Sequence, residues 1–147
     1  TMTFDTRGFT MMGVSPVQAI SEISQLNIAA IGGNCGNGPD ELEAVIFSMR
    51  RENKSIPLIA KSNAGMPVLV GGKTIFNATP EVMRHHAKRF RALGATLIGG
   101  CCGNTPAHVT AMRDALFNEA PLDPSTVTLT VDVAERKTAD RRGRRGQ

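Results

Sequence analysis

Three cysteines are the residues of this sequence whose type and spacing best suit chemistry. Cys35 follows one short apolar run within residues 32–38, and Cys101 and Cys102 follow another within residues 99–103. Thiolates favour Zn²⁺ in four-coordinate sites, and three protein ligands leave one position open, as in catalytic zinc sites. The sequence therefore predicts a zinc site with these three thiolates as ligands.

The adjacent pair needs a break in the strand before both thiols can face one metal ion. Neighbouring residues of a regular strand point to opposite faces of the sheet. Gly99, Gly100 and Gly103 flank Cys101 and Cys102 and supply the backbone freedom that such a break requires.

Residue chemistry alone leaves two other interpretations of the cysteines open. A cysteine in an apolar run is commonly a small buried hydrophobic residue. Adjacent cysteines can also form a strained disulfide, so Cys101 and Cys102 fit a thiol redox or metal-buffering protein. His85, His86 and His108 fall in predicted helices, and we expect them at surface or packing positions rather than on a metal.

A repeated unit of apolar strand, glycine-rich turn and helix is expected to position the cysteines. Four helices are predicted to begin at X-Pro pairs, because proline suits the first helical position and a preceding Ser or Thr can cap it. Buried strands are predicted at residues 28–31, 57–60 and 95–98, with the end of a fourth at residues 2–4. This alternation makes the fold α/β, with parallel βα units whose functional groups lie at the carboxyl ends of the strands.

Two further segments have weaker patterns. Residues 65–78 fit either a small hairpin with a Gly71-Gly72 turn or an irregular excursion over the site. Residues 125–133 alternate apolar and polar side chains and fit a strand. We expect a domain over residues 1–118, followed by a linker and a disordered basic tail over residues 119–147.

Charge and hydropathy exclude several classes of protein. Residues 136–147 hold six of the 17 Lys and Arg residues and one acid, so the net charge of +4 comes from this tail. Nucleic-acid binding through the tail is the weakest interpretation, because the chain has no Trp or Tyr to stack on bases. No apolar run reaches the roughly 20 residues of a membrane span, and no signal peptide opens the sequence, so we expect a cytoplasmic protein.

The motifs resemble the homocysteine S-methyltransferase family, which includes betaine-dependent enzymes and the homocysteine-binding module of cobalamin-dependent methionine synthase. The matching segments are Gly-Asn-Cys at 33–35 with Gly-Pro at 38–39, Asn-Ala-Gly-Met-Pro at 63–67, and Gly-Gly-Cys-Cys-Gly at 99–103. The opening segment 2–5, followed by Gly13, also resembles a strand end in the methionine-synthase branch. The resemblance runs from about Thr1 to Leu116.

The resemblance implies a (β/α)₈ TIM-type barrel, of which this chain covers the C-terminal half. It implies zinc bound by Cys35, Cys101 and Cys102, with homocysteine bound as a zinc thiolate and methylated to methionine. The implied partners are homocysteine and a methyl donor, including a corrinoid protein or domain. The missing half-barrel makes the chain a fragment, so self-association, or pairing with the N-terminal half, is expected. A zinc-binding fragment without catalysis of its own is the alternative.

Three polar residues are candidates for substrate binding within the implied site. Asn63 follows the strand between the two cysteine strands and is expected either to face the metal or to bind the amino-acid portion of the substrate. Asn34 is expected to shape the Cys35 loop, and Asp5 to bind the substrate ammonium group. Simpler interpretations exist, because asparagine is also a common turn residue. Lys61 and Lys73 fit solvated lysines better than a site for an anionic donor such as a folate.

Overall fold

The computed structural model describes residues 1–131. Its helices and strands follow the predicted alternation and form an α/β unit: α1 Pro16–Ile23, β1 Ile31–Cys35, α2 Pro39–Glu52, β2 Leu58–Ser62, β3 Pro67–Val70, β4 Lys73–Phe76, α3 Pro80–Ala92, β5 Ala95–Gly100 and α4 Pro106–Asn118. All four helices begin at the predicted prolines.

Side-chain caps stabilise the starts of α1 and α3. Ser15 Oγ accepts a hydrogen bond from the Gln18 backbone N–H at 3.2 Å, and the Gln18 side chain accepts one from the Ser15 N–H at 3.0 Å. This reciprocal pair satisfies two backbone donors at the start of α1. Thr79 Oγ1 caps α3 by accepting from the Val82 N–H at 3.3 Å.

The central sheet is parallel, with strand order β1-β2-β5. Met2 adds an isolated parallel bridge to Gly33, where the fourth strand was predicted. The first complete strand lies at Ile31–Cys35, so the prediction of a strand at residues 28–31 was wrong by several positions. A Cβ on Gly32 would lie 1.9 Å from the Ile59 carbonyl oxygen, so the glycines that signalled a turn instead allow β1 to approach β2 closely.

Helices cover one face of this sheet and leave the other face open. Side chains of α1, α2 and α3 pack on the strands in one apolar cluster, whose fully buried members include Ile20, Ile46, Met49, Leu58, Ala60 and Phe90. On the opposite face Lys61 is exposed, and Leu97 is 50% exposed. The strands therefore alternate between a packed face and an open face.

A hairpin projects from the carboxyl edge of the sheet. Strands β3 and β4 pair antiparallel, and Gly71 and Gly72 take positive φ values of 56° and 78° at the turn between them. Such values suit glycine, because it has no Cβ to clash. The hairpin interpretation of residues 65–78 is therefore confirmed.

A buried ion-pair network joins α2 to α3. The Glu43 side chain is fully buried, and its carboxylate lies 2.6 Å from His86 Nδ1 and accepts hydrogen bonds from Arg89 at 2.7 and 2.8 Å. The Glu43 hydrogen bonds raise the pKa of the Arg89 guanidinium. Arg89 also donates to the Thr128 carbonyl oxygen at 2.8 Å, so the network reaches the segment that follows α4.

The segment after α4 is not a strand in the described part, so the strand prediction for residues 125–133 was wrong there. Residues Pro124–Thr126 form a short 3₁₀ turn. Val127 and Leu129 pack against the main core, whereas Thr130 Oγ1 donates to Asp40 at 2.8 Å. The alternation of apolar and polar side chains therefore reflects packing on the core and a contact with α2, and not pairing with a neighbouring strand. The basic tail lies outside the described residues.

None of the helices in the described part of the chain is long and apolar enough to cross a membrane.

Candidate metal centre

Three thiols meet at the carboxyl edge of the parallel sheet, as the sequence predicted. The Sγ atoms of Cys35, Cys101 and Cys102 all lie within 4.8 Å of one another. Cys35 Sγ is 2.7 Å from Cys101 Sγ, and Cys101 Sγ is 4.0 Å from Cys102 Sγ. The cluster is partly exposed at Cys102, so one side of it remains accessible.

A local change of backbone direction brings Cys35 into the cluster. Cys35 has a φ of 55° and Gly36 a φ of 73°, so the chain turns as β1 ends. A positive φ is uncommon for a residue other than glycine, and such strain concentrates at functional sites. The Asn34 side-chain amide donates to Cys35 Sγ at 3.2 Å, so Asn34 contacts the thiol at the end of β1.

The backbone beyond β5 holds Cys101 and Cys102 against the end of β2. The Cys101 N–H donates to the Ser62 carbonyl oxygen at 2.7 Å, and the Cys102 carbonyl oxygen accepts from the Ala64 N–H at 2.9 Å. Gly103 then takes a φ of 77°. The regular strand ends at Gly100, which allows adjacent residues to place both thiols in one cluster.

Asn63 ties the two cysteine loops together. Its Oδ1 accepts from the Cys102 N–H at 3.1 Å, and its Nδ2 donates to the Gly36 carbonyl oxygen at 2.9 Å. The side chain is buried, with 5% of its surface exposed. Asn63 therefore does not contact the thiol groups directly but holds the loops that carry Cys35 and Cys102 next to each other.

The Asp5 turn lies against the Cys35 loop. The Phe4 carbonyl oxygen is 2.9 Å from the position that a Cβ on Gly36 would occupy. Asp5 accepts hydrogen bonds from the backbone N–H groups of Phe9 and Arg7 and pairs with the Arg7 side chain at 3.1 Å. The Phe9 hydrogen bond contributes most to holding the pKa of Asp5 below its usual value, so Asp5 is a carboxylate.

The histidines lie away from the thiols in the described residues. His108 Nδ1 caps α4 by accepting from the Thr105 N–H at 3.1 Å, and Nε2 lies 3.0 Å from the Ala78 carbonyl oxygen in the loop before α3, so both ring nitrogens already have partners. His86, with Asp40 and Glu43, forms a second group of metal-ligand types. Both Glu43 oxygens are already bound by Arg89 and His86, so this second group is an ion-pair network.

Comparison with known proteins decides the family. The family model described as homocysteine S-methyltransferase matches residues 1–116, which include the three thiols and most of the described fold. The chain belongs to the homocysteine S-methyltransferase family. The family prediction from the sequence motifs is therefore confirmed.

Two mycobacterial proteins named methionine synthase are similar to this family member. The protein from Mycobacterium tuberculosis is 32% identical over 118 residues, which is 80% of this chain and 10% of the relative. The protein from Mycobacterium leprae is 30% identical over 116 residues, which is 78% of this chain and 10% of the relative. The chain thus spans about a tenth of the length of these relatives.

The thiols of this family member differ in their ionisation. The hydrogen bond to Cys101, together with burial, raises the pKa of Cys35 to about 11. Burial opposes ionisation of Cys101, but hydrogen bonds from the Cys35 thiol and the Cys102 backbone outweigh it and lower the pKa of Cys101. A metal ion would compete with thiol protons for these two sulfur atoms.

The donor set fits Zn²⁺. Zn–S bonds of about 2.3 Å in a tetrahedron place sulfur atoms about 3.8 Å apart. The separation of 4.0 Å between Cys101 and Cys102 matches that geometry, whereas Cys35 must move about 1 Å away from Cys101. Three converging thiols, one of them exposed, would leave a coordination position for a fourth ligand.

Asn104 is a structural residue of the site that sequence reasoning missed. Its Nδ2 donates to the carbonyl oxygens of Ser62 and Cys101, at 2.9 and 3.3 Å. Its Oδ1 is buried without a hydrogen-bond partner among the described residues. The sequence signal that could have identified it is its position directly after Gly103, because asparagine side chains often form hydrogen bonds with nearby backbone groups at turns.

Replacing Asn63 with alanine is expected to loosen the thiol cluster. The change removes the bridge between the Cys35 and Cys102 loops and takes the side-chain partner from the Cys102 N–H and the Gly36 carbonyl oxygen, both in partly buried contacts. We expect a loss of about 1–3 kcal/mol in the free energy of unfolding and roughly 10- to 100-fold weaker zinc binding. Urea unfolding and competitive zinc titration measure the two effects.

Asn27→Ala is the matched control for that change, because Asn27 is exposed and precedes β1 at the opposite edge of the sheet. Equal zinc affinity in Asn63→Ala and Asn27→Ala would show that the bridge does not support the cluster.

Proposed function

We propose that this chain is the zinc-binding half of a homocysteine S-methyltransferase barrel and that its three thiols hold the metal that receives homocysteine. The observation that carries the proposal is the convergence of Cys35, Cys101 and Cys102 within 4.8 Å at the carboxyl edge of a parallel sheet. Membership of the family supports methyl transfer to homocysteine as the reaction.

The four parallel segments support the half-barrel part of the proposal. The bridge at Met2 and strands β1, β2 and β5 follow one another in the order expected for consecutive barrel strands. The open face of this sheet then becomes the barrel interior, and the cysteines lie at the catalytic end. The family match ends at residue 116, which supports a domain over residues 1–118.

Different residues of the chain would bind the substrate and orient its sulfur atom. Bound Zn²⁺ would favour the ionised form of the substrate thiol at neutral pH. Asn34 and Asn63 keep the thiol loops in place, so the substrate sulfur is held at a fixed point. Asp5 would bind the substrate ammonium group through the carboxylate oxygen that the exposed Arg7 side chain holds here, so the substrate would replace Arg7 at that oxygen. In the transfer, the substrate sulfur forms a bond to the methyl carbon of the donor while the bond between that carbon and the donor breaks.

Cobalt spectroscopy tests this function. Co²⁺ is a suitable substitute for Zn²⁺ at sulfur sites, and its visible spectrum reports the ligands. We expect homocysteine to change the spectrum of the cobalt-loaded chain in a saturable way, and methionine, which has no thiol, to leave it unchanged. A cobalt spectrum that does not respond to homocysteine would refute the proposal.

A thiol redox function is the second candidate, because the Sγ atoms of Cys35 and Cys101 lie only 2.7 Å apart. The structure favours this pair over the Cys101–Cys102 pair that the sequence suggested, whose sulfur atoms are 4.0 Å apart. A redox pair does not require Cys102. Metal-free protein that cycles between thiol and disulfide forms, with full retention of cycling in Cys102→Ser, would favour this candidate.

A further inference from the structure

Lys61 lies on the open face of the sheet, close to the thiol edge. Leu58, Ala60 and Ser62 of β2 are fully buried toward the helices, whereas Lys61 points to the other face and is exposed. In the proposed barrel this face becomes the interior. A charged side chain in such a position is rare without an oppositely charged partner.

The register of the sheet places Lys61 beside the Cys35 loop. Lys61 pairs with Asn34 on β1 and with Gly99 on β5. Paired residues of adjacent strands project from the same face, so Lys61 lies next to Asn34, whose amide contacts Cys35 Sγ. Gly99 has no side chain, and the position of a Cβ on it would lie 3.9 Å from Lys61 Cγ, so the lysine stem has free space above β5.

Lys61 also lacks an anionic partner in the described structure. Arg84, Lys88 and Arg89 each pair with a glutamate, whereas within residues 1–131 no carboxylate lies at salt-bridge distance from Lys61. An unpaired ammonium group facing an enclosed cavity is costly, and an anionic group of a ligand would offset that cost.

We propose that Lys61 binds the carboxylate of the amino-acid thiol that the site accepts. This inference rests on the proposed function, since it assumes a thiol substrate held at the cysteine cluster. Three carbon atoms separate the sulfur of homocysteine from its carboxylate carbon. The four methylene groups of lysine let its ammonium group lean along the strand toward that carboxylate. Lys61 is thus a specificity-determining residue for α-amino acid thiols over simple thiols.

A comparison of two thiols tests the assignment. Homocysteine and 3-aminopropane-1-thiol differ only in the carboxylate, and their dissociation constants are measured by titration into the cobalt-loaded full chain. In Lys61→Met we expect homocysteine to bind roughly 10- to 100-fold more weakly, while binding of the aminothiol stays unchanged. Lys73→Met, in the exposed β4 strand of the hairpin, is the matched control and should bind both thiols as the wild type does.

The other possible results contradict either the role of Lys61 or the proposed function. If Lys61→Met weakens the binding of both thiols equally, Lys61 has a structural role. If homocysteine binding is unchanged, Lys61 has no role in binding it. Failure of both thiols to bind the wild type would instead refute the proposed function itself. Lys61→Arg, which keeps the charge, should recover most of the discrimination between the two thiols.

Discussion

Serine at any one of the three cysteine positions is expected to reduce zinc from about one ion per chain to near zero. A hydroxyl group does not ionise readily at neutral pH and is a poor zinc ligand, so each variant would keep only two thiolates. Cys35, Cys101 and Cys102 converge within 4.8 Å, and no histidine belongs to this group. Elemental analysis after refolding with zinc and dialysis against a weak chelator measures the loss.

The histidines provide the matched control for the cysteine variants. His85 is an exposed potential ligand on α3, outside the thiol cluster, and His85→Ala is expected to retain full zinc content. Circular dichroism should show the same helix content in all four variants. Zinc retained in Cys102→Ser would mean that a smaller donor set binds the metal, which contradicts a shared three-thiolate site.

Replacement of Glu43 with alanine is expected to be among the most destabilising single changes in the chain. The fully buried carboxylate binds Arg89 through both oxygens and His86 through one, so its removal takes from Arg89 the carboxylate that binds it directly. Breaking one side of a buried ion pair typically costs about 3–5 kcal/mol. Urea unfolding, followed by circular dichroism, measures the change in the free energy of unfolding.

Glu22→Ala is the control for that measurement. Glu22 is an exposed residue of α1, and its removal should change the free energy of unfolding by less than about 0.5 kcal/mol. Similar unfolding curves for Glu43→Ala and Glu22→Ala would show that the Glu43 network contributes little. Glu43, Arg89 and His86 bind one another, so replacing all three with apolar residues leaves no unpaired charge. That replacement should therefore lower the free energy of unfolding by less than Glu43→Ala does.

Features with local causes were predictable from the sequence. The helix starts follow from proline at the first helical position and from the Ser and Thr caps, and all four were placed correctly. The cysteine cluster was predictable because parallel strands carry their carboxyl ends to one edge. The glycines around Cys101 and Cys102 signalled the end of β5 at Gly100, beyond which both thiols join one cluster.

Features that depend on neighbouring elements were not predictable in the same way. Strand β1 lies later than its apolar run, because Gly32 has to approach Ile59 closely, and this requirement is set by β2. The alternation after Pro124 arises from contacts with the core and with Asp40 rather than from a strand partner. The role of Asn63 as a bridge between the two loops depends on distances that no single segment encodes.

X-ray absorption at the zinc edge counts the sulfur atoms bound to the metal. We expect about three sulfur ligands at about 2.3 Å in the zinc-loaded chain and about four after homocysteine is added. The gain of one sulfur with homocysteine, but not with methionine, would establish the cluster as the site that receives the substrate thiol. A sulfur count that stays the same when homocysteine is added would contradict it.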